Sequence, residues 1–83
     1  MKQDIREILA KLGGLPVSVD TISDSADLYT AGLSSFASVQ LMLGLEDKFD
    51  IEIPDHLLNR RSFASIDAIA ETVSAVRAGQ EAA

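Results

Sequence analysis

The chain has 83 residues, one domain's worth, with no cysteine and a single histidine, so disulfide staples, thiolate metal sites, a cysteine nucleophile and a histidine relay are excluded. Thirteen acidic residues against seven basic ones give a net charge of −6, and no nucleic-acid binding is expected, because a phosphate backbone is held by clustered Lys and Arg. Three Phe, one Tyr and no Trp offer no platform for base stacking; 47% hydrophobic and 24% charged residues indicate a folded chain, and its acidic balance suits docking on basic protein surfaces.

Ile5, Ile8, Leu9 and Leu12 recur at i, i+3, i+4 and i+7, which predicts a helix over about Lys2–Leu12. Gly13-Gly14 stops it and Pro16 keeps it from resuming. The next stretch is polar, with Ser18, Asp20, Thr21, Ser23, Asp24, Ser25 and Asp27, and has no sustained period. Within it, Val17, Val19, Ile22, Leu28 and Leu33 are spaced like plugs that drop into a core. Long loops without regular structure are uncommon in compact domains and are often functional, so this one is a place to look for function.

Ser34-Ser35 opens a second helix that runs to Phe49 or Asp50. Leu41, Met42, Leu45 and Phe49 form its core stripe, while Phe36, Val39 and Leu43 lie on a different side. No charge occurs from Ser35 to Leu45. Two readings follow: the second apolar side is an exposed docking ridge, or the helix is central and buries every face. Ile51 and Ile53 then flank Glu52 in a short extended link, and Pro54-Asp55 turns into a brief helix over His56–Arg61, anchored by Leu57 or Leu58. Ser65 caps the last helix, Asp67 sits in its first turn, and Ile66, Ile69, Val73 and Val76 repeat at helical spacing. Gly79 is expected to end it, leaving residues 80–83 as a disordered tail behind one domain over 1–79. The sum is an all-α bundle of three main helices and one short helix, with a long first loop.

No catalytic constellation assembles. His56 lacks partners for a nucleophile relay. The carboxylate pairs Glu46-Asp47 and Asp50-Glu52 sit where solvent would reach them. Gly13-Gly14 lacks the lysine of a phosphate-cradling loop, and Asp20, Asp24 and Asp27 lack the glycine and glutamate of a calcium loop. One local feature remains. A helix needs only one cap, so if Ser34 caps, the Ser35 hydroxyl is left free at the positive end of the helix, where an attached phosphate is favoured. The Phe36/Val39/Leu43 ridge lies beside it.

The run from Asp27 through Gly32-Leu33-Ser34-Ser35-Phe36 to Leu41 resembles the attachment segment of acyl carrier proteins. Leu45–Asp55 is similar to the end of that family's second helix and the loop after it, and Phe63–Ile69 to its entry into the last helix. The resemblance extends from about Lys2 to Val76, in order and spacing. It implies a four-helix bundle carrying 4′-phosphopantetheine on Ser35, transferred from coenzyme A by a phosphopantetheinyl transferase. The arm's thiol would hold acyl groups as thioesters for partner enzymes, so the chain would be a carrier and not an enzyme, and its lack of cysteine agrees with a thiol supplied by the cofactor.

The chain also departs from the family. The attachment triplet is Ser34-Ser35-Phe36 where fatty-acid carriers have Asp-Ser-Leu, and Ala37 and Gln40 stand where acids are common. Glu46 and Asp47 retain acids on the second helix, and Arg60-Arg61 adds an unusual basic pair to a slightly longer minor-helix region. Rim charges mostly set on-rate and partner choice, so the expected docking residues are Phe36, Val39, Leu43, Glu46, Asp47, Arg60 and Arg61, with a client other than a standard fatty-acid synthase. The expected partners are the transferase, an acyl- or aminoacyl-loading ligase and a downstream acyl-transferring enzyme of a specialised lipid, amino-acid or secondary-metabolite pathway. With no apparent leader or membrane span, a cytoplasmic monomer is expected. The alternative is a cofactor-free helical interaction module that uses the Phe36/Val39/Leu43 ridge.

Overall fold

The computed structural model describes residues 1–12 and 15–82, the side chains of 80–82 excepted; the expected stop at Gly13-Gly14 lies outside the described residues. Helices α1 (Lys2–Leu12), α2 (Ser35–Phe49) and α3 (Ile66–Ala82) are joined through single 3-10 turns at Val19–Thr21, Asp55–Leu57 and Arg61–Phe63, and no strand occurs among the described residues. Helix α1 packs against both α2 and α3. Their shared interior holds Ile5, Leu41, Leu45, Ile66, Ile69 and Val73, each with 0% exposure, and burial of such a side chain stabilises the fold by about 1.5–3 kcal/mol.

The first loop is long but highly connected. Arg6 of α1 reaches across it, donating to the carbonyls of Val19 at 2.8 Å and Ile22 at 2.9 Å and to the Asp24 carboxylate at 2.7 Å. Val19, Ile22, Leu28 and Leu33 drop into the core as expected, whereas Val17 is 46% exposed and does not. Beyond Asp24 the loop is tied to the start of α3: the Leu28 N–H donates to the Ala64 carbonyl at 2.7 Å and the Asp67 N–H to the Asp24 carbonyl at 3.0 Å. These bonds satisfy backbone groups that no ladder serves. Gly32 closes the loop at φ +115°, and a Cβ there would lie 2.5 Å from the Pro16 Cδ; only glycine fits both constraints.

Two expectations are corrected. The brief helix over His56–Arg61 is instead two separate 3-10 turns, with Leu58 between them at φ −84°, ψ 69°. The Asn59 side chain causes the break: its carboxamide oxygen accepts from the Ser62 N–H at 2.9 Å and so starts a new turn where a continuous helix would need its own backbone bonds. Leu57 anchors the segment while Leu58 is 41% exposed. The second correction concerns Gly79, which does not end α3; the helix continues to Ala82. Gly79 lacks the positive φ of a terminating glycine, and the good helix formers that follow it outweigh its cost of about 1 kcal/mol.

Candidate functional site: the start of helix α2 and its groove

The two serines divide their roles by backbone position. Ser34 is extended, at φ −80° and ψ 164°, and its Oγ accepts the Ala37 N–H at 3.0 Å, a side-chain cap. Ser35 is therefore the first residue of α2. Its side chain is exposed, and among the described residues its hydroxyl takes part in no hydrogen bond, although its carbonyl accepts from the Ser38 hydroxyl at 2.7 Å. No acidic residue occupies the first turn of α2, so the partial positive charge of the helix end is left uncompensated beside this hydroxyl.

Phe36, Val39 and Leu43 are 73%, 52% and 55% exposed. Helix α2 is thus not buried on every face, and the apolar ridge faces solvent next to Ser35. Adjoining the ridge at Val39 lies a groove of about 420 Å³ that Ser35 also lines. Its α2 wall is formed by Ser35, Ser38, Val39 and Met42, and its opposite wall by the Leu58–Arg60 stretch, with Tyr29 and Phe63 completing the lining. The Arg60 guanidinium carbon lies 4.4 Å from the centroid of the Tyr29 ring, within the range of a cation–π contact. Tyr29 is positioned by an Asx turn, in which Asp27 Oδ1 accepts the Tyr29 N–H at 2.9 Å. Desolvation pushes the Asp27 pKa up, but the N–H groups of Tyr29 and Thr30, the Thr30 hydroxyl and the charge of Arg60 outweigh it and hold the carboxyl below its usual value.

The remaining candidates are scattered. Asp47 is exposed on α2. Glu46 is half-buried, and its Oε2 accepts the Ile53 N–H at 2.8 Å; this carboxylate fastens the extended link to α2 and is not simply a surface charge for docking. Arg60 and Arg61 separate, because Arg60 enters the groove while Arg61 lines a different depression beside Glu71 and Thr72 on α3. His56 is exposed, and among the described residues no group of three His, Asp or Glu could hold a metal ion. No described helix is long and apolar enough to cross a membrane.

Sequence reasoning missed the groove itself. Tyr29, Ser38 and Asn59 carried no assignment, and Met42 was read only as core. The usable signal was Tyr29, the single tyrosine of the chain, in the loop just before the two serines, since an aromatic there must lie against something.

Comparison with known proteins gives a consistent result. The match to the family described as "Phosphopantetheine attachment site" spans residues 3–73. The "Aminoacyl carrier protein" of Agrobacterium fabrum is 70% identical over 83 residues, covering 100% of both chains. A "D-alanyl carrier protein" of Lactobacillus acidophilus is 35% identical over 78 residues, 90% of this chain and 92% of its own. Among solved structures, the carrier protein from Agrobacterium tumefaciens, crystallised with AMP and an engineered glycine:[carrier protein] ligase of Bradyrhizobium japonicum, gives a TM-score of 0.86 at 73% identity over 89% of this chain and 99% of that one. A solution structure from Agrobacterium tumefaciens gives a TM-score of 0.80 at 70% identity over 100% of both chains. With an acyl-carrier-protein fold, a family match over residues 3–73 and a 70% identical carrier protein over its full length, the chain belongs to the phosphopantetheine attachment site family, as a substrate-bearing carrier protein rather than a catalyst.

Proposed function

We propose that this protein is an aminoacyl carrier whose 4′-phosphopantetheine arm is attached at Ser35 and loaded by an amino acid:carrier protein ligase. The observation that carries the site assignment is the division of roles at the helix start: Ser34 is the cap, through its bond to Ala37, which leaves the exposed Ser35 hydroxyl available for modification. The surroundings fit the group, since the arm's phosphate would sit at an uncompensated helix N-terminus and its chain beside a partly apolar groove. When bound, the arm supplies the thiol that this cysteine-free chain lacks. The exposed Phe36, Val39 and Leu43 ridge is the docking surface for the transferase, the ligase and the enzyme that accepts the cargo, and Asp47 adds charge at its edge.

The aminoacyl reading is supported by the 70% identical aminoacyl carrier protein and by the carrier–ligase structure at 73% identity. The glycine:[carrier protein] ligase in that structure and the D-alanyl carrier relative support glycine or another small amino acid as the cargo. In this reading the chain is one cytoplasmic, monomeric carrier domain, extended past residue 79 by the continuation of α3 to Ala82. The test is intact mass after incubation with coenzyme A and a broad-specificity phosphopantetheinyl transferase, followed by addition of ATP, glycine and the Bradyrhizobium ligase. A gain of one arm on wild type, absent in Ser35→Ala, and a further gain of one glycyl group support the proposal. Modification that persists in Ser35→Ala overturns the site assignment, and an arm that accepts only longer acyl groups overturns the cargo.

A further inference from the structure

The cations of this chain divide into those that have carboxylate partners and those that do not. Lys2 pairs with Asp24 and Asp67, Arg6 with Asp24, and Lys48 with Asp4. Arg60 is in no ion pair among the described residues; its guanidinium lies over the face of Tyr29, 4.4 Å from the ring centroid. This cation–π contact leaves the guanidinium's N–H donors available for a planar or tetrahedral oxyanion. Arg60 and Ser35 line the same groove, and no carboxylate does. The Asp27 carboxylate is near enough to feel this charge but neither forms an ion pair with it nor lines the groove, so a positive charge in the same groove as a modifiable hydroxyl marks that groove as a place for an anion.

We propose that Arg60 is a positioning residue that pairs with the phosphodiester of the arm on Ser35, a residue role that rests on the attachment reading above. The Tyr29 ring holds the guanidinium in place, and the pairing lays the root of the arm along the Val39–Met42 wall. Arg60 thus acts on the arm, apart from any docking role at the protein surface.

The experiment is NMR of apo and holo protein, prepared as wild type, Arg60→Gln and Arg60→Lys, with the arm verified by mass. In wild type, conversion to the holo form is expected to shift the Arg60 Nε–H and the Val39 and Met42 amides, and the ³¹P resonance is expected to move toward that of a free phosphodiester as salt is raised. In Arg60→Gln the salt-sensitive part of the ³¹P shift is lost and the Val39 and Met42 perturbations shrink; Arg60→Lys restores part of both. A merely structural role would change the apo spectra and melting temperature but not the salt response of the phosphorus. A ³¹P resonance identical in wild type and Arg60→Gln overturns the proposal while leaving Ser35 attachment intact. So does an equal shift of Arg60 in apo protein given inorganic phosphate, which would make the groove a general anion site. Failure to gain the arm at Ser35 overturns both readings.

Discussion

Replacing each of the two adjacent serines by alanine should separate stability from modification. Ser34→Ala removes the acceptor of the Ala37 N–H, a 3.0 Å bond, and loss of such a cap costs about 1 kcal/mol. In a domain of this size, that lowers the melting temperature by about 4–8 °C. The Ser35 hydroxyl makes no such bond, and its side chain is exposed, so Ser35→Ala should leave stability within about 0.5 kcal/mol of wild type. Modification should follow the opposite order, being retained in Ser34→Ala and abolished in Ser35→Ala. Both variants are measured by thermal unfolding monitored by circular dichroism, then by intact mass after treatment with the transferase. A drop in melting temperature confined to Ser35→Ala, or an arm lost only from Ser34→Ala, would refute the division of roles.

Gly32→Ala places a Cβ 2.5 Å from the Pro16 ring at φ +115°; strain of this kind costs about 1–3 kcal/mol, and a urea midpoint equal to wild type would show that the turn can relax freely. Glu46→Ala leaves the Ile53 N–H without its 2.8 Å acceptor and should destabilise by about 1–3 kcal/mol, whereas Glu46→Gln, which keeps an acceptor oxygen, should recover most of that; equal losses would point to charge and not to the bond. The Arg6 hydrogen bond and the neighbouring Lys2 hold the Asp24 carboxyl below its ordinary value of 3.8. Its contribution is therefore complete above the unfolded value and disappears as pH falls through the lower folded one. Melting temperature should decline on acidification in that window, and the decline should be smaller in Asp24→Asn.

Much of the fold was legible because the core positions repeat at helical spacing: Ile5 and Leu9, Leu41 and Leu45, and Ile66, Ile69 and Val73 were all assigned inward from periodicity and are buried. The cap Ser65 was legible because its chemistry is local, and Ser34 as one of two adjacent serines of which only one needs to cap; both caps form. What escaped was decided by contacts between residues far apart in the chain. Nothing in the neighbourhood of Arg6 indicates that its guanidinium will organise the loop from Val19 to Asp24, and nothing around Arg60 points to Tyr29. The split minor helix lies between these cases. Asn59 was visible, but whether its carboxamide would break the segment depended on Ser62 reaching it. At the site, the hydroxyl and the ridge were readable because they lie on one helix, and the groove was not, because its second wall comes from another part of the chain.

That second wall has its own foundation. Thr72, the buried polar residue of α3, directs its hydroxyl to the carbonyls of Ser62 at 3.2 Å and Ala68 at 2.9 Å, and the Arg61–Phe63 turn packs on α3. One jaw of the groove is thus carried by α2 and the other is bolted to α3, so its width is the spacing between two helices. A substitution at Thr72, remote from the serine, would retune that aperture the way a vice is adjusted by its screw, and two carriers with identical attachment segments could grip their arms differently for that reason alone.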